Sequence, residues 1–263
     1  MRLVMVGLLV SSSVALAQPA PPPPAPEVEA APPDGSSLQL RAGLGFGRYG
    51  ESGPGWKWQT DLQPFAFVGA EGAFPAGRGH LVLQGQAGFG SDVHMTSSGQ
   101  LMQENDFHQQ LFEGSPRYRH PISPFVYVEA GYRLTLQRLF FTNIPTLGDA
   151  LETVTVHALE AGLGWRRANP NGSRREVSFT IGLNRGSAEN DRIEGEDFSA
   201  GGMSLNARAS KRWASGLQLE GQFAYRKQNG SDVATVLFDG METQAMWPDN
   251  VTWQLLGVLG FAL

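Results

Sequence analysis

The sequence predicts an all-β chain wound into one antiparallel up-and-down β-barrel of about ten strands, with about eight and about twelve as the neighbouring even counts. Three observations carry that expectation. From residue 36 onward, stretches of about ten residues alternate apolar and polar side chains at period two, the spacing of a β-strand. Turn residues separate these stretches at short intervals. The 33 glycines exceed the roughly 7% of average usage, which disfavours long helices and suits tight turns and a crowded barrel interior.

In chain order, residues 1–17 read as a secretory signal: Arg2 is the positive start, Leu3 to Val10 the apolar run, and Ala15-Leu16-Ala17 the small-x-small cleavage site. Residues 18–35 carry Pro19, the run Pro21 to Pro24, Pro26, Pro32 and Pro33, an extended spacer expected in the periplasm. The barrel is expected over residues 36–263.

The first strand sets Leu38, Leu40, Ala42, Leu44 and Phe46 against Gln39, Arg41, Gly43, Gly45 and Gly47, and a turn is expected at residues 51–55. The second sets Trp58, Leu62, Ala66, Val68, Ala70 and Phe74 against Lys57, Gln59, Asp61, Gln63 and Glu71, with Phe65 and Phe67 on the polar face as filler. The third sets Leu81, Leu83, Ala87 and Phe89 against Gln84, Gln86 and Gly88. Residues 90–123 alternate weakly, and a poor fourth strand is placed near residues 105–113. The fifth, residues 126–137, is clean, and a loop is expected at residues 138–150. The sixth, residues 153–167, shows Leu159, Ala161, Leu163 and Trp165 on one face; its upper half falls out of phase, which suggests a bulge. The seventh and eighth are built on Val177, Phe179, Ile181 and Leu183, and on Met203, Leu205, Ala207 and Ala209. The ninth alternates Leu217, Leu219, Phe223 and Tyr225 with Gln218, Glu220, Gln222 and Arg226. A loop at residues 227–250 leads to a closing strand, residues 251–263, with Val251, Trp253, Leu255, Leu259, Phe261 and Leu263 on one face.

Bulk properties narrow the setting. The formal charge of −5 offers no basic face for nucleic acid. Mean hydropathy is −0.21 and no run reaches the roughly 18 apolar residues of a membrane helix, as expected when half of each spanning strand is polar. With no cysteine there is no disulfide, thiolate metal site or cysteine nucleophile. The orientation of the barrel faces is argued from three features. The polar face mixes glycine with Gln, Arg and Glu, as a narrow wet lumen would. Aromatics fall near strand ends, Trp58 and Trp253 at one rim and Phe74, Trp165 and Phe261 at the other. Connections of alternate length fit short periplasmic turns and longer outer loops. A transmembrane barrel follows, apolar side out.

On these residues the chain resembles a generic small, porin-like outer-membrane β-barrel protein of Gram-negative bacteria over residues 36–263, with one departure: the chain ends Phe261-Ala262-Leu263 rather than on an aromatic. The resemblance implies residence in the outer membrane, contact with the bilayer and lipopolysaccharide, insertion by the assembly machinery through the C-terminal strand, and a monomer. It carries no diagnostic functional motif.

The candidate chemistry is mostly structural. Arg41, Arg133, Arg208 and Arg226 are expected to face the lumen with Glu71, Glu129, Glu160 and Glu220 as a paired network, because unpaired charge in a narrow interior is costly. Two Asp-x-His pairs, Asp92 with His94 and Asp106 with His108, would each share a strand face, so that the carboxylate could orient the imidazole as a base. Omptin-like outer-membrane proteases use such a pair at the outer rim with a facing Asp-x-Asp pair, and the sequence contains no Asp-x-Asp. Serine-elbow and phosphate-loop motifs are absent, and the acidic cluster Asp191, Glu194, Glu196 and Asp197 misses the calcium-loop spacing. No catalytic residue, metal or cofactor is expected. The expected role is structural or surface-interactive, with a narrow passive channel as the second reading and a rim-site hydrolase as the third.

Overall fold

A computed structural model describes residues 36–99, 104–144, 148–194 and 198–263. The signal and spacer segments, and Glu196 and Asp197 of the acidic cluster, lie outside the described residues. The elements in order are β1 (Ser37–Gly53), β2 (Trp56–Thr60), β3 (Gln63–Ala76), β4 (Gly79–Gly90), β5 (Val93–Gly99), β6 (Glu104–Pro121), β7 (Val126–Ile144) and β8 (Gly148–Ala168). They continue with β9 (Arg174–Asn190), β10 (Ile193–Glu194), β11 (Phe198–Arg212), β12 (Leu217–Gln228), β13 (Ala234–Phe238), β14 (Met241–Ala245) and β15 (Asp249–Ala262).

Ten of these strands close a ring. Sequence neighbours β1, β3, β4, β6, β7, β8, β9, β11, β12 and β15 pair antiparallel in turn, and β15 returns to β1 from Gln39 opposite Ala262 to Ser52 opposite Asp249. Closure leaves no open edge in the lipid, where an unpaired backbone group has no water to bond. Strands β2 and β5 raise the wall on one side, β2 pairing with β1 and β5, and β5 with β6. Strands β10, β13 and β14 form a separate three-stranded sheet. The start of β1 and the end of β15 lie at one end, together with the short connections after β3, β6, β8 and β11. That end is periplasmic by the rule for even-stranded barrels. Three of its turns hold glycine in the left-handed region, Gly77 at φ 58°, Gly172 at φ 78° and Gly216 at φ 85°, where a side chain would be strained.

The radial arrangement decides the orientation. Leu44, Leu159 and Leu183 are 72%, 71% and 78% exposed, whereas Arg41, Glu129 and Glu220 are 4%, 3% and 2% exposed. Apolar side chains therefore point outward and charged ones inward, the reverse of a soluble barrel. Above this belt the polarity inverts. The interior at the outer end is apolar, with Tyr49, Met95, Phe107, Leu139, Phe141, Val156 and Trp247 all buried in one cluster. There the outward positions carry Arg48, Arg138, Thr155 and Arg185. In water the usual rule returns, apolar in and polar out.

This inversion corrects several expectations. The register of β8 with β9 runs unbroken from Glu152 to Ala168, so there is no bulge in the upper half of the sixth predicted strand. Val154 and Val156 keep their phase and face inward because the interior has turned apolar. The register shift lies instead on β7, between Phe141 and Ile144. The predicted loop at residues 138–150 is largely strand, since β7 runs to Ile144 and β8 begins at Gly148. The predicted second strand breaks at residues 61–62, and the phase change turns Trp58 off the lipid rim to pack against the buried cluster. The poor fourth strand is β6, 18 residues long.

Candidate functional site

The barrel interior is layered. Along β1 the inward positions run Gln39, Arg41, Gly43, Gly45, Gly47, Tyr49 from the periplasmic end upward. Polar residues come first, then glycines, then the aromatic that begins the outer cap. The glycines make room for the opposite wall: a Cβ on Gly43 would stand 2.3 Å from the Phe67 ring. Phe65, Phe67, Leu111, Leu256 and Val258 fill that level, so the two phenylalanines are the lumen filler the sequence suggests.

Below the filler lies the charge network. The Glu71 carboxylate takes Arg41 at 3.5 Å, Arg117 at 3.8 Å and Arg208 at 2.5 Å. Glu220 takes Arg41 and Arg208, and receives a hydrogen bond from the Gln218 amide at 2.8 Å. Glu129 takes Arg119 at 2.9 Å and Arg117 at 3.7 Å. Glu176 takes Arg119 at 3.1 Å and Arg174, and accepts from the Tyr127 hydroxyl at 2.8 Å. On another side of the lumen Arg133 bridges Glu160 at 3.0 Å and Glu113 at 3.4 Å.

Seven of the eight predicted network residues thus join ion pairs among the described residues. Arg226 faces the lumen beside Arg133 and Glu160 without a carboxylate in ion-pair range among the described residues. Sequence reasoning missed Glu113, Arg117, Arg119, Arg174 and Glu176. Arg117-Tyr118-Arg119 does alternate, with Tyr118 turned out to 40% exposure. The outward neighbours Gly114 and Pro116 are not apolar enough to mark the lipid face, so the signal is faint.

The outer cap holds a second feature that the sequence did not disclose. Glu51 is buried and Glu152 partly buried among the aromatics, with no cation in ion-pair range among the described residues. The Tyr49 hydroxyl donates to Glu51 at 2.5 Å, and the Trp247 indole N–H donates to Glu152 at 3.2 Å. Burial pushes the Glu51 carboxyl up to about 7; burial, with the charge of Glu51, pushes Glu152 up to about 8. A protonated carboxyl is the form such a site accepts.

The Asp-x-His pairs are brought together, but in a crossed arrangement. His94 Nδ1 lies 3.2 Å from Asp106, and His108 Nδ1 lies 3.0 Å from Asp92, across the β5–β6 ladder and at the β5 entrance. Neither imidazole is paired with the carboxylate two residues before it. Phe107 between Asp106 and His108 is fully buried, so all four groups stand on the outer wall of the barrel, away from its interior. Asn143 donates to Asp106 at 2.7 Å, and the His108 ring stacks on Phe140 at 4.2 Å. The hydrogen bonds from Asn143 and His94 hold the Asp106 carboxyl below the usual range.

No protein-family model matches this sequence, and no curated protein matches it. Solved structures do. The outer membrane protease OmpT from Escherichia coli superposes with a TM-score of 0.66 at 7% identity, covering 88% of this chain and 96% of that one. The fold is that of a bacterial outer-membrane β-barrel. The β domain of the Bordetella autotransporter BrkA also aligns, at 13% identity and a TM-score of 0.42, over 88% of this chain and 100% of that one. With this fold and an outward apolar belt, the protein resides in the outer membrane.

The interior holds separate cavities, three of which are lined by charge-network residues. The first, about 100 Å³, opens at the periplasmic mouth. The others, about 50 and 20 Å³, lie among the network and filler residues.

Proposed function

We propose that this protein is a closed outer-membrane barrel that works at its surfaces, in a structural or partner-binding role, rather than through its lumen. The observation that carries the reading is the outer cap. Tyr49, Phe107, Leu139 and Trp247, each 2% exposed or less, fill the bore above the charge network. Interior packing of that density admits no hydrated ion. The bilayer and lipopolysaccharide are the partners proposed for the outer wall, and the assembly machinery for β15, with the barrel acting as a monomer.

Purified protein in planar bilayers should give no steady unitary current. Reproducible unitary steps would establish the channel reading instead. A rim-site protease reading draws on the shared fold with the outer membrane protease OmpT. Against it stand the outward crossed pairs of His94 and His108 and the absence of a facing Asp-x-Asp pair. Peptide cleavage by the folded protein is expected to be nil; cleavage that disappears in His94→Ala and His108→Ala would overturn the non-enzymatic reading.

A further inference from the structure

The cavity at the periplasmic mouth has an unbalanced lining. Arg119, Arg166, Arg174, Arg208 and Arg212 border it. Its carboxylates are two, Glu71 and Glu176. Both are already engaged, Glu71 by Arg41, Arg117 and Arg208, and Glu176 by Arg119 and Arg174. Arg166 and Arg212 have no carboxylate in ion-pair range among the described residues. The excess of positive charge does not vanish on widening the circle, because Glu129 and Glu220, the next carboxylates inward, are occupied by Arg117 and Arg119 and by Arg41 and Arg208.

Buried donors point the same way. Nη2 of Arg119 and Nε of Arg174 are shielded from solvent and have no acceptor among the described residues. A buried guanidinium nitrogen without an acceptor is costly, the more so beside other guanidinium groups. A structure that merely needed to fill its mouth would offset these cations with carboxylates, as it does deeper in the lumen. The cavity holds about 100 Å³, room for a tetrahedral oxyanion and a few waters. It ends below the apolar filler and the cap, so it is a cup and not an entrance to a passage.

We propose that this arginine cup binds a phosphate group presented from the periplasmic side. The guanidinium fork matches phosphate oxygens in bidentate fashion, and several forks around one point suit a dianion better than a single carboxylate. The outer two, Arg166 and Arg212, capture the anion, and Arg119 and Arg174 supply the buried donors that now lack acceptors. The phosphate comes either from a free phosphorylated solute or from a phospholipid headgroup of the inner leaflet that reaches over the rim.

The test uses the full chain refolded in zwitterionic detergent in phosphate-free buffer, titrated calorimetrically with inorganic phosphate. Saturable binding is expected, with acetate at least tenfold weaker. The double variant Arg166→Gln, Arg212→Gln should lose binding at least tenfold. Its circular dichroism and thermal unfolding should match the parent, because neither arginine holds a carboxylate that would be orphaned. A paired single variant, Arg212→Lys, should keep the charge and regain part of the affinity lost in Arg212→Gln. Absence of saturable heat, or phosphate binding undiminished in the folded double variant, overturns the proposal. Repeating the titration with short-chain phosphatidylglycerol in the micelle separates the sources: competition with phosphate assigns a lipid headgroup, and undisturbed phosphate binding assigns a free solute.

Discussion

Glu51 and Glu152 show what one side chain does when its surroundings refuse its charge. An unfolded carboxyl titrates near 4.5, whereas burial raises these two to about 7 and about 8. A raised folded value means that the fold holds its protons more tightly than the unfolded chain does. The stability from this pair is therefore full below about 4.5 and is lost as pH rises through about 7 and then about 8. Thermal unfolding followed by circular dichroism should give a lower midpoint at pH 9 than at pH 5. Glu152→Gln, which keeps an acceptor for Trp247 and carries no charge, should flatten that difference. A Glu152→Gln profile with the parent's full slope would remove the pair from the account. Gly164 shows the opposite kind of residue-scale constraint, a position where absence matters: a Cβ there would stand 2.0 Å from the Tyr127 ring. The ring whose hydroxyl donates to Glu176 finds room there only because that position has no side chain.

A single β8 strand crosses two solvents. Its lower outward residues, Leu159, Leu163 and Trp165, meet lipid, and its upper inward residues, Val154 and Val156, meet the cap. The strand never changes phase; the medium outside it does. Substitutions on the two levels should therefore have opposite rules. Val68 on β3, opposite Ala42 of β1 and midway along the belt, is 56% exposed toward lipid. Val68→Arg should cost about 2–4 kcal/mol, the penalty of a cation at the bilayer midplane, whereas a leucine there should be tolerated. Phe107 on β6 is fully buried in the cap, stacked on Tyr49 at 5.1 Å. Phe107→Ala should cost about 3–5 kcal/mol by leaving a cavity. Urea unfolding in lipid vesicles measures both; if Val68→Arg proved neutral, the belt would not be facing acyl chains.

The closed bore belongs to the whole molecule, since no single strand blocks it. The cap draws Tyr49 from β1, Phe107 from β6, Leu139 from β7, Val154 from β8 and Trp247 from the loop before β15. The silence expected in planar bilayers follows from that convergence. At this scale the sequence was most legible where lipid imposed a rule. Nine of the ten spanning strands, their outward faces and seven of the eight network residues follow from alternation, because a strand in a bilayer must be apolar on one side over about ten residues. Legibility failed in β6, where Gly114 and Pro116 occupy outward positions, and above the membrane, where apolar-in and apolar-out strands share one phase. The Asp92–His108 and His94–Asp106 pairs could not be read at all, because cross-strand register is not written in either strand alone.

By itself the amino-acid order determined the repeating strand, the even ring and which set of side chains alternates with which, since each is a matter of neighbours along the chain. Tertiary structure alone decided which carboxylate each arginine meets, where the interior turns from charged to apolar, and that five arginines gather at the periplasmic mouth around two glutamates. Those outcomes depend on distances across the lumen between residues as far apart as Glu71 and Arg208, and only closure of β15 on β1 sets such distances.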